Sequence, residues 1–154
     1  MCSRVQWTAK GQPIIVGRNM DWTERMGTKL YVMPQGIEHE GLVDENALRW
    51  TSKYGSVVST IWDCGTADGL NEAGLCANVL YLAEAVYGER DPSLPGLSVA
   101  LWCQYFLDNF ATVAEAVANA TGFSRLTIGL ATAFLVATVI LGGVRSIGRF
   151  TGVF

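Results

Sequence analysis

Apolar and β-branched residues come in short bursts over the first eighty positions, each closed by glycine, proline or a polar cluster, which is the pattern of strands and turns. Residues 2–7 and 13–19 form the first pair, and the turn Ala9-Lys10-Gly11 between them is short enough to close an antiparallel hairpin. Residues 29–33 are a third strand, stopped by Pro34. The stretch 35–45 is polar and glycine-punctuated and reads as a connecting loop. Residues 47–51 and 56–62, rich in β-branched and aromatic side chains and separated by Tyr54-Gly55, are two further strands. The segment 67–75, with Asp68-Gly69 and Gly74, reads as a turn, and 76–82 as a mostly apolar strand. Five or six strands in this order predict a meandering antiparallel sheet.

The period changes after Asp91-Pro92. Leu97, Leu101, Phe106 and Phe110 fall at helical spacing, and Thr112-Val113-Ala114-Glu115 is a capping box opening a second helix through Ala120. Strands first and helices packed on them afterwards define an α+β class. The uncharged run 126–144, bracketed by Arg125 and Arg145, stands at the length threshold for a membrane span. Its glycines and threonines make it a weak one, and a buried helix is the alternative.

At 154 residues and 50% hydrophobic, the chain is long enough for one domain with a real core. Its 11 basic residues are scattered and outnumbered by 14 acidic ones, so no stripe exists to neutralise phosphates, and nucleic acid is disfavoured as a partner. Cys2, Cys64, Cys76 and Cys103 contain no Cys-x-x-Cys pair, and His39 is the only histidine, which leaves a zinc centre hard to assemble and no metal expected. No cofactor is implied. Cys64, Cys76 and Cys103 read as structural, the last two within apolar elements. The spacing gives no disulfide framework. With His39 in the polar loop, a nucleophile here has to find a base other than imidazole.

The N-terminus offers one. Removal of Met1, which the small side chain of Cys2 permits, would leave a thiol and a free α-amine on one residue. The thiolate is the attacking form, and an α-amine titrating near neutrality can take the thiol's proton. The hairpin brings Arg18 back toward Cys2, and Arg18 and Asp21 are candidates to set the electrostatics of that thiol and amine. A plain reading stands beside this one: a cysteine that happens to be second, and an Arg-Asn-Met-Asp strand end without a role. No secretory signal precedes Cys2, so the chain as written reads as cytoplasmic.

Several blocks in order change the picture. Cys2, Gly17-Arg18-Asn19-Met20-Asp21-Trp22, the Trp50–Val57 block, the turn from Asp68 to Leu75, Ala77-Asn78-Val79-Leu80-Tyr81-Leu82-Ala83-Glu84, and the stretch from Pro95 to Val113 together resemble the choloylglycine hydrolase family, which contains bile salt hydrolases and penicillin V acylases. The Trp50 and Asn78 blocks are most similar to the penicillin V acylases of Gram-negative bacteria. The resemblance covers residues 1–121 and implies part of the αββα fold of the N-terminal nucleophile hydrolases. Residues 122–154 form a non-matching apolar tail.

The resemblance implies that Cys2 is the nucleophile, that its amine is the base, and that Arg18 and Asp21 tune and hold that terminus. It also implies that the backbone N–H of Tyr81 joins the oxyanion hole, with Met20, Trp22 and the Tyr81 ring lining an acyl pocket. The expected partner is a small-molecule amide with an apolar acyl group: penicillin V, conjugated bile acids or N-acyl homoserine lactones. Full-length relatives form homo-oligomers, and Gram-negative relatives point to the periplasm. An asparagine of the oxyanion hole and an arginine near the nucleophile, which the family draws from its second half, have no match here. The expectation is thus an amidase by family, with this chain a truncated or frame-shifted piece of a longer one whose catalytic set is incomplete here. The alternatives are a non-catalytic polypeptide anchored through 126–144, and an acyl-binding remnant.

Overall fold

The structure is a computed structural model that describes residues 2–81, 83–86, 88–124, 126–131 and 133. The chain divides into two units, Met1–Ala111 and Thr112–Phe154.

In the first unit, β1 (Ser3–Trp7) and β2 (Ile15–Asn19) pair antiparallel as their own two-stranded sheet. The Gln12 N–H donates to the Ala9 carbonyl at 3.1 Å and closes the turn expected there. The register sets Ser3 opposite Asn19 and Arg4 opposite Arg18. The main sheet has four antiparallel strands: β3 (Lys29–Met33), then β6 (Ser56–Ile61), β7 (Gly65–Asn71) and β8 (Cys76–Asn78) in that order. A third, two-stranded sheet joins β4 (Glu38–Glu40) to β5 (Arg49–Thr51). A short 3₁₀ turn (Val99–Leu101), N-capped by the Ser98 hydroxyl, leads into α1 (Trp102–Asn109). Antiparallel strands followed by a helix laid on one face make this an α+β fold.

Alternation decides which face α1 covers. Ser56, Val58 and Thr60 of β6 are buried while Val57 between them is exposed. On the covered face Leu107 is fully buried against the backbone of Gly69. The opposite face presents Leu30, Val32, Val57 and Leu70 to solvent.

Three readings of the sequence are corrected. Asp68-Gly69 is not a turn but the interior of β7, and the reversal comes after Asn71, where Gly74 adopts φ 89°. Gly69 is glycine for a packing reason: a Cβ there would lie 2.4 Å from Leu107 Cδ1 and 2.9 Å from Val58 Cγ1. The strand expected over 76–82 ends at Asn78. The expected loop 35–45 contains β4, where His39 points inward between two glutamates, stacks on Trp50 with ring centroids 5.2 Å apart, and lies 3.4 Å from Asp108. Three alternating residues are too few to register as a strand pattern.

Buried polar groups clamp α1. Asp108, fully buried, accepts from Trp50 Nε1 at 2.7 Å and from Gln104 Nε2 at 2.8 Å, and its carbonyl accepts from the Lys53 N–H. At the helix end the Asn71 amide donates to the carbonyls of Leu107 and Phe110, both at 2.8 Å. Carbonyls at a helix C-terminus have no partner within the helix, so Asn71 supplies one from β7.

In the second unit, α2 (Val113–Thr121) starts as its capping box predicts: Thr112 Oγ1 accepts from the Glu115 N–H at 3.2 Å, and Gly122 closes the helix in the left-handed region. The run 126–144 is helical over residues 126–131, and most of the rest lies outside the described residues. Among the described residues no helix is long and apolar enough to cross a membrane.

Substituting Gly69→Ala is expected to lower unfolding stability by about 1–3 kcal/mol, because the added methyl would overlap the fully buried Leu107 and Val58 side chains. Urea denaturation checks this. An unchanged midpoint would mean that α1 does not bear on β7 as described.

Candidate active site

Cys2, Arg18, Met20, Asp21 and Trp22 lie on or just beyond the strands of the N-terminal hairpin. Cys2 immediately precedes β1, and the register brings the chain beyond Asn19 alongside it. The Asn19 side chain fastens the two ends together: its Oδ1 accepts from the Ser3 N–H at 2.8 Å while its Nδ2 donates to the Asp21 carboxylate at 3.2 Å. The backbone N–H groups of Tyr81 and Asp21 both reach the Cys2 thiol. The Tyr81 N–H is the main cause holding that thiol below its ordinary range. Partial burial opposes the shift, and the Asp21 N–H and the Arg18 charge add to it.

Arg18 is buried, with 8% of its side chain exposed, and its Nε lies 2.7 Å from Asp68 Oδ1. Its Nη2 donates to the Val79 carbonyl in a close contact. Nη1 has no hydrogen-bond partner among the described residues. Asp68 also accepts from Asn78 Nδ2 at 2.8 Å, and Asn78 accepts in turn from Arg4 Nε at 2.8 Å. A chain of polar contacts from Arg4 to Asn78 to Asp68 to Arg18 therefore runs from β1 through β8 and β7 to β2 and ties the hairpin to the main sheet.

Cys2 opens onto a cavity of about 260 Å³ whose wall is almost wholly apolar. Met20, Trp22 and Tyr81 line it with Cys2, so all three residues expected to form an acyl pocket share a cavity with the thiol. Arg18 and Asp21 are not part of the wall. Trp22 packs edge to face on Tyr81 (5.2 Å between centroids) and on Trp62 (6.0 Å). Thr66, a polar wall residue, spends its hydroxyl proton on Gln104 Oε1 at 2.9 Å. A larger concavity, about 480 Å³, runs along β4 and β5 past Glu38, His39 and Arg49, but none of its residues lines the Cys2 cavity.

Sequence reasoning missed Asn19, Asp68, Asn78 and Trp62. Asp68 was concealed by the Asp-Gly turn signature. Trp62 was concealed because it and Asp63 are the first two residues of the three-residue turn between β6 and β7, with φ 52° and 55°, a left-handed pair in which asparagine and glycine are the favoured residues. Such a conformation costs a bulky L-residue on the order of 1–2 kcal/mol, and here it places an indole on the cavity wall. Of the cysteines read as structural, Cys103 is buried, and that burial pushes its thiol up to about 12. Cys64 is instead exposed and lines the cavity.

Comparison with known proteins follows the same lines. The family model for linear amide C–N hydrolases of the choloylglycine hydrolase family matches residues 2–141. A penicillin V acylase from Pectobacterium atrosepticum is 50% identical over 110 residues, 67% of this chain and 29% of that protein. The solved structure of a penicillin V acylase from Agrobacterium tumefaciens is similar with a TM-score of 0.71 at 49% identity, over 76% of this chain and 37% of that one. The chain therefore belongs to the choloylglycine hydrolase family, and its α+β fold is part of the N-terminal nucleophile hydrolase fold. It spans about a third of the length of these relatives.

A thiol held below its ordinary range becomes thiolate at lower pH. Iodoacetamide labelling of Cys2, resolved by peptide mass spectrometry, is therefore expected to turn on at a lower pH in the native protein than in urea. Cys103 is expected to stay unlabelled until the protein unfolds. An identical Cys2 midpoint in both states would show that the Tyr81 and Asp21 N–H groups do not stabilise the thiolate.

Proposed function

We propose that this chain carries the nucleophile and acyl-binding half of a linear amide hydrolase, in which Cys2, freed by removal of Met1, takes the acyl group of an amide as a thioester. The observation that carries the reading is the placement of one low-range thiol in a small apolar cavity with the Tyr81 N–H upon it.

The steps follow from the groups present. The Cys2 α-amine accepts the thiol's proton, and the thiolate adds to the substrate carbonyl. Negative charge then moves from sulfur to the former carbonyl oxygen, and the Tyr81 N–H that held the thiolate is placed to follow it. Loss of one such donor typically costs on the order of 10²–10³ in rate. The C–N bond breaks as the ammonium returns its proton to the departing amine, which leaves a Cys2 thioester for water to cleave. Arg18 sustains the thiolate electrostatically, and Asp21 anchors the terminus through Asn19. Met20, Trp22 and Tyr81 favour an uncharged, flat or aliphatic acyl group, since an anion in that wall would find no partner. The phenoxyacetyl group of penicillin V, the substrate named for both relatives, has that character.

The test is intact-protein mass spectrometry after incubation with penicillin V, with Cys2→Ser as control. The expected result is a species lacking Met1 that gains one phenoxyacetyl group and loses it in the control. An adduct carrying the whole penicillin, which reports β-lactam opening by any nucleophile, would contradict the reading. So would no adduct, or one that survives the substitution.

A further inference from the structure

Three aromatic side chains stand in the wall of the Cys2 cavity, Tyr81, Trp22 and Trp62, and the amide chemistry has so far used only the first two. Trp22 packs edge to face on both of the others, with centroids 5.2 Å from Tyr81 and 6.0 Å from Trp62. The three differ in what carries them. Trp22 follows the end of β2 and Tyr81 the end of β8, so neither lies within a strand. Trp62 sits in the turn joining β6 to β7, the two central strands of the main sheet. That turn is tied from two sides: the Trp62 N–H donates to the Met26 carbonyl at 2.7 Å, and Lys29 Nζ meets Asp63 Oδ1 at 2.6 Å. Trp62 is therefore the ring on the firmest support. Its φ of 52° suits glycine, yet an indole occupies it. With 49% of its surface exposed it is no core residue, so burial does not account for the choice. A bulky side chain held in such a backbone conformation at a cavity wall points to a use in that cavity.

We propose that Trp62 is a specificity-determining residue of the acyl cavity, which gives aryl acyl groups preference over straight-chain ones of similar apolar area. The proposal rests on the amide hydrolase reading of the same site. Aryl and alkyl groups of equal area gain about equally from leaving water, so an apolar wall alone does not separate them. A ring in the wall does, because it adds an edge-to-face contact that only an aryl ligand can return, roughly two- to tenfold in affinity for each such pair. Trp62 supplies that contact from the rigid side of the cavity. It also backs Trp22, so the neighbouring ring keeps its orientation when a ligand enters.

The experiment titrates the full, isotope-labelled chain carrying Cys2→Ser, so that no thioester forms, with phenoxyacetamide and with hexanamide. Affinities are read from the indole N–H signal of Trp22, assigned by its loss in Trp22→Phe. The expected result is tighter binding of phenoxyacetamide. In Trp62→Gly, which removes the ring and relieves the backbone, that preference is expected to fall about two- to tenfold with hexanamide little changed. Trp62→Phe, which keeps a ring, is expected to retain most of it. A preference unchanged in Trp62→Gly would overturn the proposal, as would its equal loss in Trp62→Phe, or hexanamide binding as tightly as phenoxyacetamide in the parent. No bond to Cys2 forms here, so a negative result leaves the thioester reading to its own test, and failure of that test leaves the measured preference in place.

Discussion

Arg18 is a buried cation whose charge is met by one carboxylate, Asp68, at 2.7 Å. A guanidinium removed from water without a partner is costly, and breaking such a pair by deleting one member typically costs about 3–5 kcal/mol. That penalty fixes where the hairpin of β1 and β2 can sit. The short hairpin has mostly exposed side chains and little apolar area to hold it in place. Its position is set by polar pairing, with Arg18 on Asp68 and Arg4 on Asn78, and by the contact from Arg18 to the Val79 carbonyl. The same contacts carry the chain from Val79 to Tyr81 up to Cys2. The ion pair thereby brings together the thiol just ahead of β1, the N–H that stabilises it, and the aromatic wall.

The main sheet supplies what the hairpin lacks. Leu107 packed into the notch at Gly69, Asp108 held by Trp50 and Gln104, and Asn71 on the end of α1 make β6, β7 and α1 one rigid block. The two carriers of the site, Asp68 on β7 and the turn holding Trp62 and Cys64, are therefore fixed from below. Strain in that turn is local and small beside the burial on either side. A site mounted on strand ends over such a block is held from the sheet beneath it.

The sequence made the local features legible and the long-range ones obscure. The opening hairpin, the strand stopped by Pro34 and the capping box at Thr112 each depend on neighbours a few residues away, and each stands where the pattern put it. Cys2, Met20, Trp22 and Tyr81 were named through a resemblance spread over many blocks, and they meet at one cavity. Asp68-Gly69 failed as a turn because the need for glycine comes from Leu107, nearly forty positions on. His39 failed as a solvated loop residue because its partners, Trp50 and Asp108, come from two other elements. Trp62 broke a local rule for turn residues, and such departures concentrate where a structure places a side chain for use.

The claim that one ion pair seats the hairpin is tested most directly by amide hydrogen exchange on an Asp68→Ala variant. The account expects protection to fall across β1 and β2 while α1 and the pairing of β6 with β7 stay protected, because the core block does not rely on the pair. Unchanged protection in the hairpin would contradict it, showing that Arg18 finds its partner elsewhere and that another contact holds Cys2 at the cavity.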